Sequence, residues 1–96
     1  MIFVIDNLKY DTDKMELISE NLKYSYDWVY RITQTRFTST VDNAKLYRSK
    51  KGNWLLTYEA NHRITGRRLL KNDVKELLIK QDLKKYEELF REIPEA

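Results

Sequence analysis

The chain has 96 residues, of which 42% are hydrophobic and 34% are charged, with no cysteine and a formal net charge of +3. This length is enough for one modest core, so we treat residues 1–96 as a single domain. The lack of cysteine excludes disulfides and thiolate metal sites. The longest apolar run, residues 1–5, is too short for a transmembrane helix or a signal peptide, so we expect a cytoplasmic protein without membrane contact.

Charge is unevenly distributed along the chain. Residues 31–71 carry ten Lys or Arg against two acids, a net charge of +8, whereas residues 1–30 and 72–96 carry −3 and −2. A basic centre between acidic ends predicts a one-sided electrostatic field, which attracts a polyanion or an acidic surface. The alternative is a solvated sheet whose charges pair with acidic helices.

The N-terminal part predicts strands followed by a short helix. Residues 1–5 are mostly β-branched or aromatic and predict a buried strand, and residues 8–10 resume a strand. Thr12 is a suitable helix N-cap, and apolar residues at near-helical spacing follow it. We therefore predict a short helix over residues 13–22.

The next stretch predicts one long strand. Residues 26–40 are rich in aromatic, Thr and β-branched residues and contain neither Gly nor Pro, which is typical of a strand. Its apolar face changes near Gln34, which indicates a bulge or a strong twist. Residues 42–43, Asp-Asn, predict a turn into the following hairpin.

Residues 45–58 predict a β-hairpin around the loop Lys50-Lys51-Gly52. A three-residue hairpin loop ends with a left-handed residue, a conformation that Gly52 takes without a Cβ clash. This loop fixes the register, with the cross-strand pairs Ser49–Asn53, Arg48–Trp54, Tyr47–Leu55 and Leu46–Leu56. We expect the buried core to include Trp54, Leu56 and Phe90.

The last third predicts one more strand and two helices. Residues 61–62 form a turn and residues 63–70 a fourth strand. Asn72 is a predicted helix cap, and Asp82 begins a second helix whose apolar stripe reaches Ile93. The predicted fold class is α+β: an antiparallel β-meander of three to four strands plus an N-terminal strand, packed with a short N-terminal helix and two C-terminal helices.

No catalytic or metal-binding pattern stands out. His62 is the only histidine, and no spacing marks a partner for it as a general base or a zinc ligand. Asp11, Asp13 and Glu16 resemble part of a calcium loop, but its glycine and distal glutamate are missing. We expect no cofactor, no metal and no enzymatic activity.

The basic centre supplies the candidate partner-binding residues. Lys and Arg attract phosphates irrespective of base sequence, and aromatics exposed on a sheet can stack unpaired bases. The interleaved aromatics can instead form the core, as we expect for Trp28, Tyr30, Tyr47, Trp54 and Tyr58. The predicted partner-binding residues are Arg31, Arg36, Arg48, Lys50, Lys51, Arg63, Arg67 and Arg68.

Two short stretches carry a family resemblance. They are Lys9-Tyr10-Asp11-Thr12 and Leu46-Tyr47-Arg48-Ser49-Lys50-Lys51-Gly52-Asn53-Trp54. Together they resemble a family of small bacterial proteins, also found on phages and other mobile elements, with a Leu-Tyr-Arg-(Ser/Thr)-Lys-Lys-Gly hairpin and no established activity. The resemblance implies a context: compact phage-borne proteins of this size often block a host defence machine by occupying its surface, as anti-CRISPR proteins do.

The sequence is compatible with two functions. The favoured one is a non-enzymatic phage or mobile-element protein that binds and inhibits a host nucleoprotein complex, in the manner of an anti-CRISPR protein. The alternative is a small basic DNA- or RNA-binding regulatory module. Acidic helices on an outer face would favour the first function, and one continuous basic face with exposed aromatics would favour the second.

Overall fold

A computed structural model describes all 96 residues as two antiparallel sheets and two helices. The elements in chain order are β1 (Ile2–Ile5), β2 (Leu8–Asp11), a 3₁₀ turn (Thr12–Lys14), β3 (Glu16–Tyr30), β4 (Thr35–Arg48), β5 (Trp54–Ala60), β6 (Arg63–Leu69), α1 (Lys71–Gln81) and α2 (Leu83–Leu89). Strands β1 and β2 pair with each other, and β3 to β6 form a four-stranded meander. The predicted α+β class, the meander and the two C-terminal helices are confirmed. Neither helix is long and apolar enough to cross a membrane.

The β4–β5 hairpin has the predicted register, with Leu46 opposite Leu56 and Arg48 opposite Trp54. Gly52 has a φ of 85°, the left-handed conformation that glycine adopts without steric strain. Its N–H donates a hydrogen bond of 3.0 Å to the Ser49 carbonyl. Because this loop is closed by local chemistry, the register of the two central strands follows from the loop.

The two helices cover one face of the four-stranded sheet. Leu46 and Leu56 project from that face and are fully buried in one cluster with Val74 and Leu78 of α1. Trp54 is buried there as predicted. Phe90 is only partly buried, with its ring centroid 6.2 Å from that of Trp54, so its predicted full burial is wrong.

The β1–β2 hairpin packs on the opposite face of the sheet. Leu55 and Thr57 point to that face, because side chains alternate along β5, and both are buried. The backbone of Gly66, opposite Thr57, lies against the Phe3 ring. The outer side of β1 is exposed, as at Val4, so the predicted N-terminal strand is confirmed but its full burial is not.

Gly66→Ala is expected to lower the free energy of unfolding by about 1–3 kcal/mol, the usual cost of overpacking. A Cβ at this position would lie 2.7 Å from Cδ1 of Phe3, so the N-terminal hairpin would have to shift. Urea denaturation of Gly66→Ala in the wild-type and the Phe3→Ala backgrounds measures the coupling. An equal loss in both backgrounds would show that Phe3 does not contact Gly66.

Residues 13–22 do not form a helix, and the short N-terminal helix of the predicted fold is wrong. The structure has only the 3₁₀ turn Thr12–Lys14, after which β3 begins. The buried pair Ile18 and Leu22 is four residues apart, a spacing that places side chains on one face of a strand as well as of a helix. These residues form a strand because their backbone pairs with that of β4, with several register shifts.

The predicted single strand over residues 26–40 is a hairpin. Strand β3 ends at Tyr30 and β4 begins at Thr35, with a turn between them. Gln34 takes a left-handed φ of 57°, and its N–H donates to the Tyr30 carbonyl at 2.9 Å. The change of apolar face near Gln34 is therefore a chain reversal and not a bulge.

Three further boundaries differ from the prediction. Residues 42–43 lie inside β4 and not in a turn. Leu70, not Asn72, is the N-cap of α1, and its N–H donates to Oδ2 of Asp73 at 3.3 Å. Helix α2 ends at Leu89, about one turn before the predicted end.

Candidate interaction surfaces

The outer halves of β3 and β4 form a ribbon that extends beyond the rest of the sheet. Strand β5 pairs with β4 only over residues 45–48, so residues 35–41 pair with β3 alone. We name residues 24–41 the β arm. Each of its strands has about seven residues and a length of about 20 Å, in a molecule whose longest dimension is 50 Å.

The side chain of Asn43 marks the point where β5 leaves β4. Its Nδ2 donates to the Glu59 carbonyl at 3.0 Å, and its Oδ1 accepts from the Glu59 N–H at 3.1 Å. These two bonds replace a backbone pair and end the β4–β5 ladder. Between Asn43 and the tip of the arm, the backbone of β4 pairs with β3 alone.

One face of the β arm carries aromatic side chains that continue outward from the core. Tyr24 and Tyr26 pack on buried Tyr58, with ring centroids 5.3 and 4.9 Å apart. Farther out, Trp28 stacks on its cross-strand neighbour Phe37 at 4.8 Å. We name this set the aromatic stripe: Tyr24, Tyr26, Trp28, Tyr30 and Phe37.

Exposure rises along the aromatic stripe. Tyr58, at its inner end, is 5% exposed, whereas Trp28 and Phe37 are 41% and 44% exposed. At the tip, Tyr30 is 46% exposed and Ile32 is 82% exposed. The stripe therefore leads from the core to a free apolar tip.

The expectation that the aromatics are core residues is correct for Trp54 and Tyr58 and wrong for Trp28 and Tyr30, while Tyr47 is only half-buried. The physical reason is that β5 ends at Ala60 and the helices pack over the body of the sheet, so nothing covers the arm. The indole N–H of Trp28 nevertheless has a partner on the neighbouring strand, a hydroxyl oxygen 2.8 Å away.

The other face of the β arm is mostly polar. Ser25 and Thr40 share a hydrogen bond of 2.8 Å across the strands, and Thr38 donates one of 2.6 Å to Asp27. Cross-strand pairs of this kind stabilise a ribbon by a few tenths of a kcal/mol to about 1 kcal/mol each. The arm thus has one aromatic side and one polar side.

At the opposite end of the molecule lies a groove of about 440 Å³, between β2, the 3₁₀ turn and the β4–β5 loop. Four lysines line it, and we name it the lysine groove: Lys9, Lys14, Lys50 and Lys51. Sequence reasoning selected Lys50 and Lys51 but missed the other two, because they belong to the acidic first third of the chain.

The eight predicted partner-binding residues do not form one patch. They lie in three places: the β arm (Arg31 and Arg36), the end of β4 with the β4–β5 loop (Arg48, Lys50 and Lys51), and strand β6 (Arg63, Arg67 and Arg68). Within β6 they lie on both faces, because Arg67 pairs with Leu56 on the helix side and Arg68 with Leu55 on the other.

Two of these arginines have partners within the fold. Arg48 donates to Glu16 Oε1 at 2.8 Å and lies 5.6 Å from the centroid of the Trp54 ring, so the predicted Arg48–Trp54 pair is confirmed. Arg68 donates to Asp6 of the β1–β2 turn at 3.3 Å. Both arginines connect elements of the fold.

The helices present only a limited acidic surface. Helix α1 carries three lysines and two acids. Negative charge collects instead at the C-terminal end, where Glu87, Glu88 and Glu92 line a shallow depression with Leu83 and Lys84. Neither an extended acidic face nor one continuous basic face is present.

His62 is exposed in the β5–β6 turn, where it has a φ of 61°. No group of three or more His, Asp or Glu side chains is placed to hold a metal ion. Comparisons with protein families, curated proteins and solved structures find no match for the chain. The aromatic stripe and the lysine groove are therefore the features of the molecule that indicate a function.

Proposed function

We propose that the protein is a non-enzymatic interaction protein, from a phage or mobile element, that binds and inhibits a host nucleoprotein complex in the manner of anti-CRISPR proteins. The observation that carries this proposal is the β arm, whose aromatic stripe leaves the core and ends uncovered. The biological context in this proposal comes from the sequence resemblance of the β4–β5 hairpin alone. The arm supplies the means of binding.

The composition of the arm suits a protein-binding surface. Trp, Tyr, Phe and Arg are enriched in protein interfaces, and Trp, Tyr and Arg dominate their binding energy. The stripe offers Trp28, Tyr30 and Phe37 at 41–46% exposure. A two-stranded ribbon is marginally stable in water without a third strand or a packed element. A partner that covered the stripe would supply that packing.

The geometry also limits the entropy lost on binding. The Trp28 ring is held by stacking on Phe37 and by the hydrogen bond from Nε1 to Ser39 Oγ. Side chains already fixed in their bound rotamers lose less freedom at an interface. Arg31 and Arg36 lie on the same arm without an ion-pair partner in the chain, so they can pair with acidic or phosphate groups on a nucleoprotein.

The direct test is a tagged pull-down from a host lysate, run with and without nuclease. The proposal expects a protein complex to be captured in both lysates, because the arm contacts protein. The captured complex is then assayed on its nucleic-acid target at increasing concentrations of the tagged protein. We expect its activity to fall in proportion to occupancy.

Two outcomes would contradict the proposal. Capture that disappears entirely after nuclease treatment would favour the small DNA- or RNA-binding module instead. Capture without any loss of the complex's activity would leave a binding protein that is not an inhibitor. Trp28→Ala, with Val29→Ala as its control, distinguishes capture through the aromatic stripe from nonspecific adsorption.

A further inference from the structure

The lysine groove lies outside the surface that carries the proposed function. Its four lysines come from three places in the chain: Lys9 from β2, Lys14 from the 3₁₀ turn, and Lys50 and Lys51 from the β4–β5 loop. All four are exposed, and none lies within 4.0 Å of a carboxylate in the structure. The fold thus gathers four ammonium groups without an ion-pair partner around one groove.

One acidic residue, Asp11, lines the groove, and Asp13 and Glu16 lie beside it. Oδ1 of Asp11 accepts the N–H of Asp13 at 3.1 Å, and Oδ2 of Asp13 lies 3.6 Å from the amino group of Met1. Glu16 is paired with Arg48 at 2.8 Å. Four lysines against the one lining carboxylate, Asp11, leave the groove with a net charge of +3 that is available for a ligand.

Neutral hydrogen-bond donors accompany the lysines. Ser49 and Asn53 also line the groove. The Ser49 oxygen accepts the backbone N–H of Asn53 at 3.0 Å, which leaves its O–H free to donate. The side-chain amide of Asn53 makes no hydrogen bond within the protein. Hydroxyl and amide donors beside lysines are typical of contacts to phosphate oxygens.

We propose that the lysine groove binds the phosphodiester backbone of a nucleic-acid strand. Lys is a compact point charge with three rotatable donors that binds phosphate oxygens, and four lysines line this groove. Four separate ammonium groups along an open groove match an anion that repeats along a chain. The site is independent of the β arm, so it extends the proposed function from protein to nucleic acid.

The test compares two variants with the same change in net charge. In the groove variant, Lys9, Lys14, Lys50 and Lys51 are all replaced by Gln. In the control variant, four exposed residues away from the groove are replaced by Gln: Lys23, Lys80, Lys84 and Arg91. Affinities for a labelled single-stranded RNA and for a DNA duplex are measured by fluorescence anisotropy across a salt series.

The groove variant is expected to lose at least about ten-fold in affinity at low salt. The slope of log affinity against log salt should shrink by about 2–4 units, since each lost phosphate contact removes about 0.7–0.9. The control variant should change the slope by less than about one unit. Equal losses in the two variants would show that net charge alone attracts nucleic acid, and would overturn the site.

Competition and folding controls complete the test. Polyglutamate, at the same charge concentration as an unlabelled RNA competitor, should displace the labelled RNA poorly. Displacement as strong as that by the unlabelled RNA would show that the groove binds acidic proteins. Saturation by inorganic phosphate at low concentration would assign it to a single anion. If the groove variant does not fold, Lys50→Gln with Lys51→Gln, both in an exposed loop, should still reduce the slope by about 1–2 units.

The two binding proposals can fail separately. The groove variant should still capture protein from a nuclease-treated lysate if the arm is the protein-binding surface. An arm variant should keep its RNA affinity if the groove is the nucleic-acid site. A groove variant that loses both readouts while it remains folded would overturn the independence of the two surfaces.

Discussion

Leu56→Ala is expected to lower the free energy of unfolding by about 2–5 kcal/mol, the usual range for truncating a buried leucine. Leu56 is fully buried at the centre of β5. It pairs with Leu46 across the sheet and belongs to the cluster that includes Leu78 of α1. Its side chain therefore joins the sheet to the helix layer, and the space left by alanine cannot be filled by solvent-facing groups. Urea denaturation at equilibrium measures the loss.

The matched control is Leu83→Ala, which deletes the same atoms at a site that is 45% exposed on α2. It should cost less than about 1 kcal/mol, because surface substitutions have small effects and alanine favours helices. Similar losses in the two variants would contradict the placement of the core between the helices and β5. An altered denaturant slope would indicate a change in the compactness of the unfolded or native state, or a loss of two-state unfolding.

Trp28→Ala is expected to weaken capture of the host complex by at least about 30-fold, which corresponds to the 2 kcal/mol or more of an interface hot spot. The indole lies where the aromatic stripe becomes exposed, and it stacks on Phe37 at 4.8 Å. Its removal deletes the largest side chain of the arm and leaves Phe37 without its stacking partner. The measurement is a binding titration against the complex purified from the pull-down.

Two features of the chain make this experiment specific. Val29→Ala is the control, since Val29 is 47% exposed on the opposite face of the same strand, and it should change affinity by less than about two-fold. The chain has two tryptophans, so the Trp28→Ala variant keeps only the buried Trp54. Its fluorescence then reports directly whether the core is intact. Equal losses from Trp28→Ala and Val29→Ala would remove the aromatic stripe as the binding surface.

The candidate surfaces differ in how far the sequence could reveal them. Tyr24, Tyr26, Trp28 and Tyr30 alternate strictly with other residues, so their common face follows from the period of a strand. Their exposure does not follow from that period, since it depends on where β5 ends. The sequence indicates only Lys50 and Lys51 of the lysine groove, because Lys9 and Lys14 are up to 42 positions away in a stretch of net negative charge.

The sequence by itself determined the features that arise from local chemistry. The loop with Gly52 set the register of β4 and β5, and the Asn61-His62 turn led into β6. The side chain of Asp82 begins α2 by accepting the N–H of Lys85 at 3.3 Å. In each case a few neighbouring residues satisfy one another's backbone groups, so no distant contact is needed.

Only the tertiary structure decided the features that depend on pairing across the chain. Residues 16–22 became a strand because β4 offers them a hydrogen-bonding partner, although their apolar spacing fits a helix equally well. The turn at residues 31–34 has neither Gly nor Pro, so the pairing of the strands on either side of it imposes the left-handed Gln34. The free arm and the lysine groove likewise result from where distant strands end and meet, since burial and charge density are properties of the assembled fold.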